Sequence, residues 1–181
     1  FKRLLMQRGV PEAKVNVIYN WADEVALAAP QGQLPTSFPS IKRFRIVFAG
    51  NMGKAQALDA VLDAAALLQA RGSRVCFVML GGGVEVNRLK QQAVDLMLHN
   101  VIFLPQVPMA EVGTFLHAAD ALLVHLRKDP LFEVTIPSKT QAYMTVGKPL
   151  LMAVDGDAAD LVLQSKGGVV AESENAEALA D

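Results

Sequence analysis

The 181-residue sequence has a single cysteine, Cys76, so neither an intrachain disulfide nor a cysteine-built metal cluster is available to it. Cys76 lies in the apolar run Val75-Cys-Phe-Val-Met-Leu80, where it reads as a core residue of a protein from a reducing compartment. Charge of one sign is also missing. A formal net charge of −1 gives no general attraction to nucleic acid or to an anionic membrane, so any phosphate binding must be local. No apolar run approaches the ~18 residues that span a bilayer, and the opening residues show no signal-peptide pattern. The three histidines, at 99, 117 and 125, form no ligand set. There is no Gly-x-Ser-x-Gly and no His-Glu-x-x-His, which removes the hydrolase elbow and the zinc protease. A Walker A loop is likewise absent, and so is the Gly-x-Gly-x-x-Gly dinucleotide fingerprint, whose absence argues against nicotinamide and flavin enzymes.

Hydrophobic residues make up 52% of the chain and charged ones 19%, so the chain folds rather than staying disordered. Its length suits one domain with a proper core. A first residue of Phe, and a last residue inside a helical pattern, lead us to expect a piece of a longer polypeptide. Residues 1–43 read as a lead-in and linker. Phe1–Arg8 suggests a short helix ended by Gly9-Val10-Pro11, Val15–Tyr19 alternates like a strand, and Asn20–Asp23 leaves it. Residues 30–40 hold three of the nine prolines and read as a linker or surface loop.

Residues 44–181 are regular. Apolar runs at Arg45–Ala49, Val75–Leu80, Val101–Leu104, Ala121–Leu126, Leu150–Val154 and Gly168–Ala171 alternate with helical patterns at about 54–71, 85–99, 109–118, 137–146, 157–165 and 175–181. Short, uniformly apolar strands separated by helices predict an α/β fold. Its core is a Rossmann-like, doubly wound parallel sheet of about six strands with helices on both faces. Ligands of such a sheet bind at the carboxyl ends of the strands, near the switch point.

The most informative stretch is Thr135 to Pro149. Pro137 suits the first turn of a helix, whose free amides and positive dipole end favour an anion. Ser138 adds a hydroxyl and Lys139 a full charge, a combination suited to a diphosphate. Gly147 closes the helix and Pro149 prevents its continuation. Other unusual loops follow the predicted strands. Gly50-Asn-Met-Gly53-Lys54 allows close backbone approach before a helix, Gly81-Gly-Gly83 is either a turn or a contact loop, and Leu104-Pro-Gln-Val-Pro108 is a stiff wall. His125–Val134 is the longest insertion of the regular half. Each loop alone also has a plain reading as a turn or helix entry, which is slightly favoured at Leu104–Pro108. Asp155-Gly-Asp157 has the look of a metal-binding pair, but Asp157 is better read as a helix N-cap.

The order and spacing of Val17–Asp23, Phe48–Gly53, Asn100–Pro105, Ala119–Leu123, Ile136–Lys139, Tyr143-Met144 and Gly147–Pro149 carry a resemblance over residues 12–181. The chain resembles the C-terminal, donor-binding half of a GT-B-fold retaining glycosyltransferase. Within that family it is similar to the bacterial surface-polysaccharide group related to fucosamine and N-acetylaminosugar transferases. The resemblance implies a UDP-sugar donor, with an N-acetylated hexosamine or 6-deoxy sugar, and a metal-independent transfer with no cofactor. It implies a lipid-linked or saccharide acceptor held by an N-terminal domain absent from this chain, no nucleic-acid partner, and a cytoplasmic location. The full-length protein is expected at the inner face of the membrane, in lipopolysaccharide or capsule biosynthesis, and this fragment alone is expected to be inactive.

By the same resemblance, Gly50, Asn51, Gly53, Lys54, Ser138, Lys139 and Thr140 would face the diphosphate. Leu104, Pro105 and Gln106 would hold the nucleobase, and Glu133 and Thr135 would meet the donor sugar. Two departures stand out. The family's ribose-binding glutamate, just before the Tyr-Met pair, is replaced by Ala142, and the usual phosphate-binding Arg and Lys have no clean match near Met52–Gln56, leaving Lys54 or Lys139 to substitute. Two alternatives stay open: a non-catalytic α/β binding module, which Ala142 suggests, and a UDP-sugar epimerase, for which His125 and Glu133 are the acid/base candidates.

Overall fold

The computed structural model describes residues 1–22, 24–27 and 33–181. Six parallel strands, β1 (Phe44–Ala49), β2 (Val75–Leu80), β3 (Val101–Leu104), β4 (Ala121–His125), β5 (Leu150–Ala153) and β6 (Gly168–Val170), lie in the order β3-β2-β1-β4-β5-β6. The chain winds outward from β1 in one direction, then crosses back to β4 and winds outward in the other. The switch point therefore falls between β1 and β4, as the doubly wound expectation requires.

The central strands are apolar throughout because both faces are covered. Val47, Val78, Leu80, Leu122 and Val124 point into one core, closed by α5 (Met109–Ala118), α7 (Ser138–Val146) and α8 (Asp157–Gln164) through Phe115, Leu116, Tyr143, Val146 and Val162. Ile46, Phe48, Phe77, Met79 and Leu123 point into the other, closed by α3 (Asp59–Ala70), α4 (Val86–Asp95) and α9 (Ala176–Ala180) through Val61, Leu62, Leu68, Leu89 and Leu179. Cys76 is buried, as its apolar run suggested. At the amino end of the switch, Arg45 and Asp120 form a two-pronged pair, with Nε–Oδ2 at 2.9 Å and Nη2–Oδ1 at 3.1 Å.

At the carboxyl end the strands part. β1 and β4 pair only at Ile46–Ala121 and Val47–Leu122. Beyond that point, the last residue of β1 turns to a side chain. The buried Tyr143 hydroxyl accepts from the Ala49 amide at 2.8 Å and donates to the Ala49 carbonyl at 3.1 Å. One phenol thereby satisfies both backbone groups at the opening of the sheet and ties α7 to it.

Some sequence expectations need correction. The helix predicted over 54–71 is broken: Lys54–Gln56 is one 3₁₀ turn, Ala57 is left-handed at φ 42°, and α3 starts at Asp59. The cause is local. The Gln56 side chain folds back to accept from the Gly53 amide at 3.0 Å, tightening the turn. The helix predicted to reach 99 stops at Asp95, followed by Met97 at φ 51°, with Leu98 bonding back to Ala93. Val15–Tyr19 is no strand. It runs beside the domain without a sheet partner, and Ile18 is 85% exposed, because alternation alone gives no face without a neighbour.

The insertion before Thr135 contains a short helix, α6 (Pro130–Glu133), capped by Asp129 Oδ1 on the Leu131 amide at 2.9 Å. Asp157 is the first residue of α8 rather than its cap, a place taken by Gly156. Two further helices, α1 (Lys2–Gln7) and α2 (Glu24–Leu27), lie in the lead-in. Of the linker expected over 30–40, residues 30–32 lie outside the described residues, as does Asp23. The remainder is anchored, since Phe38 is buried edge-on against Phe115 at 6.0 Å. Among the described residues, no helix is long and apolar enough to cross a membrane.

Tyr143→Phe removes the side-chain partner of both the Ala49 amide and carbonyl at a buried position. We expect a loss of about 1–3 kcal/mol in denaturant unfolding; an unchanged midpoint would mean that the hydroxyl is dispensable to the opened strand end.

Candidate functional site

The carboxyl ends of β1, β2 and β3 and the start of α7 enclose a hollow of about 600 Å³. Its floor is two interlocked glycine loops. The Gly50 amide donates to the Leu80 carbonyl at 2.8 Å, the Met52 amide to the Gly82 carbonyl at 2.6 Å, and the Gly81 amide to the Leu104 carbonyl at 3.1 Å. This zipper needs glycine. Gly81 sits at φ +138°, and a Cβ there would lie 2.1 Å from the Gly50 carbonyl oxygen. Gly50, at φ +133°, would push its Cβ to 2.8 Å from Lys139 Cε.

Lys139 is the centre of the hollow. Its Nζ lies 3.6 Å from the centroid of the Phe48 ring, a cation–π contact at the end of β1. Among the described residues it has no carboxylate partner, and burial lowers its pKa from the ordinary lysine value to about 7. Ser138 and the first turn of α7 lie beside it; the Thr140 amide there donates to the Pro137 carbonyl at 2.9 Å, which leaves the Ser138 and Lys139 amides without an acceptor within the helix. Those two amides, a positive helix end and a lysine without a carboxylate partner are a combination suited to an anion. The far end of the hollow is apolar: Trp21, Leu27, Val107, Met109, Val112 and Leu116 line it, with Gln106 at the rim. The arrangement fits a ligand with a phosphate group at one end and a flat, largely apolar group at the other.

Of the residues singled out from sequence, the hollow gathers Gly50, Asn51, Gln106, Ser138 and Lys139. It does not gather the others. The Gly53 amide is taken by Gln56. Lys54 lines a separate recess of about 220 Å³ with Asp59, Glu85 and Arg88. Thr140 is fully buried with its hydroxyl unpartnered, and Leu104 is buried beneath the loop. Pro105 is exposed outside the lining, as is Glu133. Thr135 lines a different hollow, beside α1, and its hydroxyl donates to the Leu131 carbonyl at 2.6 Å. Ala142 does line the hollow, so a longer residue there would enter it.

Sequence reasoning missed the apolar wall, and it missed Tyr143 as the clamp that positions α7. The aromatic at 21 and the period of α5 are weak signals of the wall, since neither shows which way the side chains face. The acid/base pair needed for epimerisation is not assembled. His125 is buried with both ring nitrogens engaged, and neither it nor Glu133 reaches the hollow.

Fold and site together define a Rossmann-like domain that presents an anion-receptive crevice at its switch point. The sequence profile described as Glycosyl transferases group 1 matches residues 37–181, and the chain belongs to that family. WbjE of Pseudomonas aeruginosa, a probable glycosyltransferase, is 28% identical over 141 residues, covering 76% of this chain and 34% of its own length. WcaI of Escherichia coli (strain K12), whose name places it among colanic acid biosynthesis glycosyl transferases, is 27% identical over 150 residues, covering 78% of this chain and 35% of its own. The chain thus spans about a third of the length of these curated relatives. Among solved structures, HepE of Anabaena in complex with UDP superposes with a TM-score of 0.77 at 20% identity, over 99% of this chain and 49% of the other. That likeness is one of fold.

The half-buried lysine makes stability depend on pH. Below about pH 7 both folded and unfolded states carry the proton, and the folded state bears the full cost of a desolvated charge. Between there and the ordinary lysine value of ~10.4, the unfolded chain holds the proton that the folded one has lost, so stability rises with pH. Lys139→Met should therefore be more stable than the parent at pH 6, by about 1 kcal/mol or more. Each kcal/mol is worth roughly 2–4 °C for a chain of this size. Melting curves from pH 6 to 10 should show the gap closing; a gap that does not change with pH would contradict the half-buried, unpaired ammonium.

Proposed function

We propose that this chain is the donor nucleotide-sugar-binding domain of a retaining, metal-independent glycosyltransferase of bacterial surface-polysaccharide biosynthesis. The observation that carries the reading is Lys139, an amine held over Phe48 at a helix start with, among the described residues, no anion of its own. A donor diphosphate supplies the missing charge. The apolar end of the hollow, with Gln106 at its rim, receives the nucleobase. During transfer, negative charge collects on the departing nucleoside diphosphate. Lys139 and the first-turn amides of α7 are fixed where they stabilise that charge without reorganisation, which is why the proposal needs no metal.

UDP is the preferred nucleotide. The family match supports the enzyme class, and HepE, a protein of the same fold, binds UDP in its solved complex. WcaI, by its name, supports the polysaccharide setting. Within the group, a donor carrying an N-acetylated hexosamine or 6-deoxy sugar follows from the sequence resemblance. The acceptor, lipid-linked or saccharide, and the residues that handle it belong to the part of the relatives' length that this chain does not span. On this reading the chain alone binds donor nucleotide and does not turn it over, and the full-length protein works at the cytoplasmic face of the membrane.

Isothermal calorimetry tests this. UDP should bind more tightly than GDP, ADP, CDP or dTDP. Lys139→Met should weaken UDP binding by about tenfold or more, the loss of one charged hydrogen bond, and leave uridine binding unchanged. Because the diphosphate draws a proton onto Lys139, the heat at pH 8 should vary with buffer ionisation enthalpy in the sense of proton uptake, up to one proton per UDP. No binding of any nucleotide, or equal affinity in the Lys139→Met variant, would overturn the reading and favour a binding module that has lost its donor site.

A further inference from the structure

The glycine loop that floors the hollow is held from behind by a buried histidine. His125, the last residue of β4, is 1% exposed. Its Nδ1 lies 2.7 Å from the Gln56 carbonyl oxygen, which can only accept, so Nδ1 carries the proton. Its Nε2 then accepts from the Glu174 amide at 3.4 Å. The two partners together fix one neutral tautomer, and burial lowers the imidazole's pKa, which keeps it neutral.

Gln56 passes the restraint on. Its amide donates to the Gly53 carbonyl at 3.1 Å, and its side-chain Oε1 accepts from the Gly53 amide at 3.0 Å. The loop is held at a second point by the Arg127 amide, which donates to the Ala55 carbonyl at 3.0 Å. On its far side the Met52 amide and carbonyl are bonded to Gly82 and Glu85. The stretch Gly50–Asn51, which lines the hollow, thus hangs between the β2 loop and a turn whose carbonyl is pinned by His125. The ring itself touches nothing in the hollow.

We propose that His125 is a positioning residue for the anion site: through Gln56 it sets the Gly50–Gly53 loop in the shape that accepts a diphosphate. The inference rests on the donor-site reading above. It predicts a division of labour. A substitution at 125 should weaken ligands that carry a diphosphate and spare those that do not.

The test uses two polar replacements of similar bulk. His125→Asn places an amide N–H where Nδ1 stands and keeps the bond to Gln56. His125→Gln extends past that position and loses it. UDP affinity should fall about tenfold in His125→Gln, the scale of one lost buried hydrogen bond, and recover in His125→Asn. Uridine affinity should stay the same in both. Amide exchange by NMR gives a readout independent of ligand: the Gly53 amide should be protected in the parent and in His125→Asn, and should exchange faster in His125→Gln.

Equal UDP affinity and equal Gly53 protection in the two variants would overturn the role of His125. Parallel loss of UDP and uridine binding would do the same, because it marks general disruption. If the parent binds no nucleotide, the donor-site reading fails, and the Gly53 exchange rates still decide whether His125 sets the loop.

Discussion

The structure turns on the Tyr143 hydroxyl. A doubly wound sheet must open at its switch point, and the opened strand end leaves backbone groups with no neighbouring strand. Unpaired and buried, those groups would be costly. Here a single phenol on α7 satisfies the amide and the carbonyl of Ala49 together. The same two bonds fix where α7 begins relative to β1. That registration brings Lys139, one turn earlier on the helix, over Phe48 and beside the glycine loop. Fold closure and site construction are one event in this protein.

The site is assembled at a cost to stability. An ammonium withdrawn from water without a counter-charge destabilises the folded state, and the ring face of Phe48 offsets only part of that. Such a group is weak evidence of a structural role and better evidence of a functional one. The glycines around it point the same way. Gly50 and Gly81 are held at backbone angles and contacts that no larger residue tolerates, and their absent side chains are what let the loops close around the lysine. An anion that reaches this hollow meets fixed donors and an amine that gains a proton as the anion arrives, so binding needs little rearrangement of the backbone.

Much of the fold was legible because fully covered parallel strands write themselves as unbroken apolar runs. Val75–Leu80 and Ala121–Leu126 could hardly be anything else. The start and stop of α7 were legible through Pro137 and Gly147, and Gly147 does sit at φ +71°. The break at Ala57 was not legible, because helical periodicity is blind to a single left-handed residue stabilised by a Gln56 side chain folding back. Val15–Tyr19 misled because alternation is a property of a strand with a neighbour, and none pairs with it.

The lining of the hollow was legible where chemistry and backbone coincide, at Gly50, Asn51, Gln106, Ser138 and Lys139. It was illegible where contacts join distant segments: Lys139 with Phe48, Tyr143 with Ala49, His125 with Gln56. Lys54 and Lys139 looked interchangeable as residue types, and only the fold places one of them in the hollow. The most direct test of the central claim is an NMR pH titration of the Lys139 side chain, with and without UDP. Free, it should titrate near pH 7; with UDP bound, its titration should move well upward toward the ordinary lysine value. A Lys139 that titrates as an ordinary surface lysine, or that does not respond to UDP, would contradict the account.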